Sequence, residues 1–121
     1  MARILVIDDD VDIAELVGLK LKRDGHAVDI ECDGRSGLAR AQCARPDIII
    51  VDWTLPGLTG PEICSQLRTD PAMDDTWMIM LTARPLGADG LAQTGADELM
   101  SKPFSPRDLS ERVSTALARR S

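Results

Sequence analysis

Arg3-Ile4-Leu5-Val6-Ile7-Asp8-Asp9-Asp10 is the stretch on which the fold turns. Its unbroken aliphatic run reads as a strand covered on both faces, the habit of parallel strands in α/β sheets. The run then stops on three acids. The pattern recurs downstream: Asp47–Val51 stops at Asp52, Trp77–Leu81 stops at Thr82, and a shorter segment, Asp97–Ser101, stops before Lys102. In open α/β sheets ligands bind just beyond the carboxyl ends of the strands. Asp8, Asp9, Asp52, Thr82 and Lys102 are therefore expected to meet at one edge of one sheet.

Between these runs the hydrophobic period lengthens to that of helices. After Asp10, a cap by residue type, Ile13, Leu16, Val17, Lys20 and Leu21 form one stripe, and Gly25 suits the position just past a helix end. Ala27–Cys32 alternates, with Asp29 and Glu31 pointing away from Val28, Ile30 and Cys32, as a half-exposed edge strand does. Gly34–Ala44 is a second helix, with Leu38, Ala41 and Cys43 inward and Pro46 closing it. Pro61 opens a third. Arg84–Thr94 is a poor helix because Pro85, Gly87 and Gly90 interrupt it. Ser105-Pro106-Arg107-Asp108 opens the last helix, whose buried stripe is Leu109, Val113, Ala116 and Leu117.

Five such alternations predict an α/β fold, a doubly wound (βα)5 unit with a parallel five-stranded sheet. With Ala27–Cys32 at an edge, the strand order becomes 2-1-3-4-5, the flavodoxin-like arrangement, and the switch point falls between the strands that end on Asp8 and Asp52. The 121 residues suit one domain, and 44% hydrophobic with 28% charged residues suit an ordinary globular one.

A net charge of −6 argues against nucleic-acid binding through this surface. The basic cluster Arg112, Arg119 and Arg120 complements the dipole of the last helix. Cys32, Cys43 and Cys64 show no metal or disulfide spacing and are expected as buried reduced thiols. No run approaches the roughly 18 apolar residues that span a membrane. There is no signal-peptide pattern. A cytoplasmic location without membrane contact is the expectation.

Two carboxylates about 5 Å apart repel by roughly 3 kcal/mol at an effective dielectric of 20. Clustered acids raise each other's pKa unless a cation relieves them. Asp9→Asn or Asp52→Asn is accordingly expected to stabilise the metal-free protein. Oxygen donors without His or Cys select Mg²⁺, Mn²⁺ or Ca²⁺. Helix capping accounts for one acid, Asp10, but not for the set. A cis bond at Lys102-Pro103 would aim the ammonium back at an anion near Asp52. Metal, ammonium and hydroxyl around a carboxylate describe a phosphoryl-transfer site.

Ile4-Leu5-Val6-Ile7-Asp8-Asp9, the run from Asp52 to Gly60, Leu81-Thr82-Ala83-Arg84, Gly95-Ala96-Asp97 and Lys102-Pro103-Phe104 resemble the motifs of two-component response-regulator receiver domains. The resemblance spans the chain, so residues 1–121 are expected to be one receiver domain, with room for an effector domain beyond. Lys102–Leu109 is similar especially to the winged-helix transcription-factor branch, the OmpR/PhoB type. By this resemblance Asp52 is the phosphoacceptor, Thr82 and Lys102 contact the phosphoryl group, and Mg²⁺ is held by Asp8, Asp9, Asp52 and the backbone carbonyl of Thr54. The implied partner is a sensor histidine kinase or phosphotransfer protein. The chain is then no enzyme in the usual sense, catalysing only its own phosphorylation and slow dephosphorylation.

Two features depart from the family pattern. Leu99 stands where Tyr or Phe is usual, and the segment from Thr82 to Lys102 is slightly short. A short or mobile fourth helix is expected, with signalling that does not use an aromatic rotamer. The winged-helix branch forms homodimers through its fourth helix, fifth strand and fifth helix; Asp97, Glu98 and Arg112 fit that pattern, while the fourth helix offers only Asp89. A phosphohydrolase with an aspartyl nucleophile, a flavodoxin and a degenerate receiver acting as a binding module are the rival classes. The first lacks a second acid after Asp52, the second would set Asp8-Asp9-Asp10 against its phosphate, and the third leaves the complete residue set unexplained.

Overall fold

A computed structural model of the chain describes residues 2–83 and 95–120. Strands β1 (Arg3–Ile7), β2 (Ala27–Glu31), β3 (Ile48–Asp52), β4 (Trp77–Thr82) and β5 (Glu98–Ser101) are joined by helices α1 (Val11–Arg23), α2 (Gly34–Ala44) and α3 (Gly60–Arg68) and followed by a C-terminal helix, Pro106–Arg120. The sheet is parallel with order β2-β1-β3-β4-β5. This is the flavodoxin-like order expected from the alternation of Asp29 and Glu31 on β2. The expected helix over Arg84–Thr94 lies outside the described residues.

Residue type explains the layers. Every residue of β3 is buried, as continuous β-branched runs require in a sheet covered on both faces. Ile4, Val6, Ile48, Ile50, Ile79 and Leu81 face α1 and the C-terminal helix. Leu5, Ile7, Ile49, Val51, Met78 and Met80 face α2 and α3. Local capping sets where the helices start. Asp10 and Asp33 accept from Ile13 N and Ser36 N. Thr59 and Glu62 form a capping box with Pro61 in the first turn. Ser105 and Asp108 cap the C-terminal helix reciprocally.

Several side chains differ from expectation. Leu16 is 57% exposed; the buried stripe of α1 is Ala14, Val17, Gly18 and Leu21. Gly18 belongs to it because a Cβ there would already lie 3.1 Å from Ile30 Cδ1, so a residue with no hydrophobic signal packs directly against β2. Only Cys64 is a buried thiol, pushed up to about 12 by burial. Cys32 lies past the end of edge strand β2 and Cys43 near the end of α2, and both are exposed. Leu38 is half-buried and packs inward against the cluster of Leu5, Ile7 and Ala41, as expected. Among the described residues no helix is long and apolar enough to cross a membrane.

Candidate functional site

Two strand ends set the acids. Asp52 is the last residue of β3 and Asp8 follows β1, its neighbour in the sheet, so the two carboxyls share the switch point. Asp9 follows on the rim. One carboxylate oxygen from each of Asp8, Asp9 and Asp52 lies within 4.8 Å of the other two. Asp8 and Asp52 are buried and Asp9 is exposed. Asp8 Oδ1 accepts from Asp10 N at 2.9 Å, whereas its Oδ2 is buried without a hydrogen-bond partner.

The cation comes from the other side. β5 pairs with β4 in register Thr82↔Ser101, and Lys102 N donates to Thr82 O at 2.8 Å. The Lys102-Pro103 peptide is cis. Lys102 Nζ donates to Asp52 Oδ2 at 3.0 Å and stands 4.0 Å from Asp8 Oδ2. Thr82 is buried at the end of β4, and Thr54 is exposed in the loop after Asp52. That loop is closed at its base, where Trp53 N donates to Leu81 O at 2.8 Å and Gly60 N to Trp53 O at 2.9 Å.

Burial, first, pushes the Asp8 carboxyl up to about 6; the Asp10 amide opposes this and the charge of Asp52 adds to it. Desolvation thus leads, ahead of the like-charge repulsion emphasised by the sequence. For Lys102 burial works downward, but the hydrogen bond and charge of Asp52 outweigh it and its pKa is raised.

Sequence reasoning missed Arg68. This last residue of α3 donates to the carbonyls of Gly95, Met73 and Thr76 and pairs with Asp97 at 2.6 Å. A basic residue in a final helical turn is the only signal, and dipole complementation explains that equally well. Of the charges expected at a dimer face, Asp97, Glu98 and Arg112 are engaged within the chain, and Asp89 lies outside the described residues. Glu98 accepts from Trp77 Nε1 at 2.8 Å and from Arg112 at 3.1 Å, and Asp97 from Arg68.

Clustered acids opposed by a lysine, with a hydroxyl on the neighbouring strand end, define a signalling module of the phosphoacceptor class. The chain belongs to the response regulator receiver domain family, whose model matches residues 4–114. It is 40% identical over 119 residues to the alkaline phosphatase synthesis transcriptional regulatory protein PhoP of Bacillus subtilis, covering 97% of this chain and 49% of that protein. It is 38% identical over 122 residues to the phosphate regulon transcriptional regulatory protein PhoB of Rhizobium meliloti, covering 98% and 53%. Among solved structures it is similar to the response regulator TrrA of Thermotoga maritima in complex with Mg²⁺-BeF, with a TM-score of 0.84, 32% identity and coverage of 96% and 99%. The chain spans about half the length of the curated relatives it matches.

Proposed function

We propose that Asp52 is the phosphoacceptor of this receiver domain and that a histidine kinase or phosphotransfer protein is its donor. One observation carries this reading: Lys102, distant in sequence, reaches Asp52 at 3.0 Å inside a three-carboxylate cluster. A carboxylate oxygen of Asp52 attacks phosphorus, the P–N bond of the phosphohistidine breaks, and its electron pair leaves with the imidazole, which takes up a proton. Lys102 turns from the Asp52 carboxylate to an oxygen of the transferred group, and the Thr82 hydroxyl donates to another, so charge is met by placed donors.

Magnesium fits the donor set. The ligands are hard oxygens, and the orphaned Asp8 Oδ2 is a buried acceptor that a cation would satisfy. Asp8, Asp9, Asp52 and the Thr54 carbonyl would hold it. When bound, the ion supplies positive charge against the phosphoryl oxygens. The chain acts as its own catalyst in this transfer and in slow loss of the group. Residues 1–121 serve as the receiver module, and in the whole protein the output is transcription control through an effector domain outside this chain, in the cytoplasm. A homodimer through the fourth helix, β5 and the C-terminal helix would exchange the Glu98–Arg112 pair now made within the chain for one between copies.

Incubation with acetyl phosphate and Mg²⁺ should add the mass of one phosphoryl group, and Asp52→Asn should abolish the gain. Equal labelling of Asp52→Asn would sink the assignment. A flavin-binding reading has no support in the acids, which would oppose a flavin phosphate, and the purified protein is expected to be colourless.

A further inference from the structure

Helix α3 begins against the site and ends at the opposite edge of the sheet. A Cβ at Gly60, its first residue, would lie 2.5 Å from the carbonyl oxygen of Asp52. Arg68, its last, is partly buried and donates to Gly95 O at 2.9 Å, to Met73 O at 3.2 Å, to Thr76 O at 3.1 Å and to Asp97 Oδ2 at 2.6 Å. The same Asp97 oxygen accepts from Met78 N at 2.8 Å, and Asp97 N donates to Met78 O at 2.8 Å. The lead-in to β5 is thereby tied to β4 through Asp97 and to α3 through Arg68.

β5 itself is four residues long and pairs with β4 alone. Its pairing with β4 is therefore the one ladder that fixes where its end lies. Its far end carries Lys102, which returns to Asp52. Asp52, α3, Arg68, β5 and Lys102 therefore form a closed circuit. An arginine serving only the helix dipole would be solvated; this one joins three backbone segments through a planar fork that a lysine ammonium cannot imitate.

We infer that Arg68 is a positioning residue, which places β5 so that the Lys102 ammonium meets Asp52 across the sheet. The inference rests on the reading of Asp52 and Lys102 as the phosphoryl-transfer pair. Two measurements on Arg68→Met, Arg68→Lys and Thr76→Val, each under conditions where it is folded, test it. Thr76→Val removes the bond from Thr76 Oγ1 to Pro46 O, 3.0 Å long at the same edge, and leaves β5 alone, so it reports destabilisation by itself.

The rate of phosphoryl uptake from acetyl phosphate with Mg²⁺ should fall about tenfold to a hundredfold in Arg68→Met, the scale of a misplaced reacting group. Arg68→Lys should resemble Arg68→Met, Thr76→Val should resemble the parent, and Arg68→Met should cost nothing more in a Lys102→Ala background. The second measurement is the ¹⁵N signal of the Lys102 ammonium, which should exchange slowly in the parent, held by its bond to Asp52, vanish in Arg68→Met and persist in Thr76→Val. A parent that takes up no phosphoryl group while its ammonium signal follows this pattern defeats the reading of the site and upholds the positioning. An ammonium signal or a labelling rate left at the parental level in both Arg68 variants overturns the positioning. If Arg68→Met does not fold, Arg68→Lys carries both measurements.

Discussion

Asp8→Asn should be more stable than the parent by about 3 kcal/mol above neutral pH without magnesium, and should lose the response to the ion. Asp8 is fully buried, and desolvation raises its pKa from 3.8 to about 6. The folded state therefore holds a proton that the unfolded chain has already released. Between these two values stability falls as pH rises, and above the folded value the whole cost is present. The asparagine keeps the acceptor for Asp10 N and removes a charge whose Oδ2 makes no hydrogen bond and has only the Lys102 ammonium, 4.0 Å away, to offset it. Denaturant midpoints of the two proteins should converge towards pH 4. A parent midpoint that rises through this window, or a less stable variant above neutral pH, would contradict the argument. Mg²⁺ should stabilise the parent by binding the folded state and alter the fluorescence of Trp53, beside Asp52; Asp8→Asn should show neither effect.

The sequence alone placed this gain on Asp9→Asn or Asp52→Asn. Geometry moves it, because Asp9 is exposed and Asp52 has Lys102 at 3.0 Å. Removing the Asp52 charge would leave a partly buried ammonium without its main partner, which offsets the relief of repulsion.

Gly60→Ala should cost about 3 kcal/mol, at the upper end of what overpacking a filled interior does. The new Cβ would lie 2.5 Å from Asp52 O, 2.6 Å from Met80 Sδ and 3.0 Å from Trp53 Cα. Two of the three are backbone atoms and cannot swing aside. Either α3 or the end of β3 must move, so Mg²⁺ affinity should fall together with stability. Gly57→Ala is the control in the same loop. Its φ of +87° makes a side chain strained, by roughly 1–2 kcal/mol, but the nearest atom is Arg35 Cγ at 3.6 Å. Chemical denaturation and a Mg²⁺ titration of the three proteins decide it; a Gly60→Ala protein as stable as Gly57→Ala would show that α3 has room to slide.

Most of the architecture was legible because it is written in local patterns. Unbroken aliphatic runs mark covered parallel strands, and the alternating Asp29 and Glu31 mark the edge that fixes the strand order. Ser105, Pro106 and Asp108 mark a helix start whichever fold surrounds them. Surface details were less legible. Leu16 carries the hydrophobic signal of a core residue yet faces outward, while Gly18, without any, faces Ile30. Cys32 and Cys43 misled in the same way, since a thiol's preference for burial yields to where the strand or helix ends.

By itself the sequence determined which groups stand at the strand ends, since a residue following a buried run must emerge at the sheet's rim. It could not determine how they pair. Desolvation of Asp8, the contact of Lys102 with Asp52, and the four bonds by which Arg68 ties the segments before β4 and β5 to the end of α3 depend on how separate elements pack. Dielectric environment and hydrogen-bond geometry are properties of the packed molecule, and only the tertiary structure decided them.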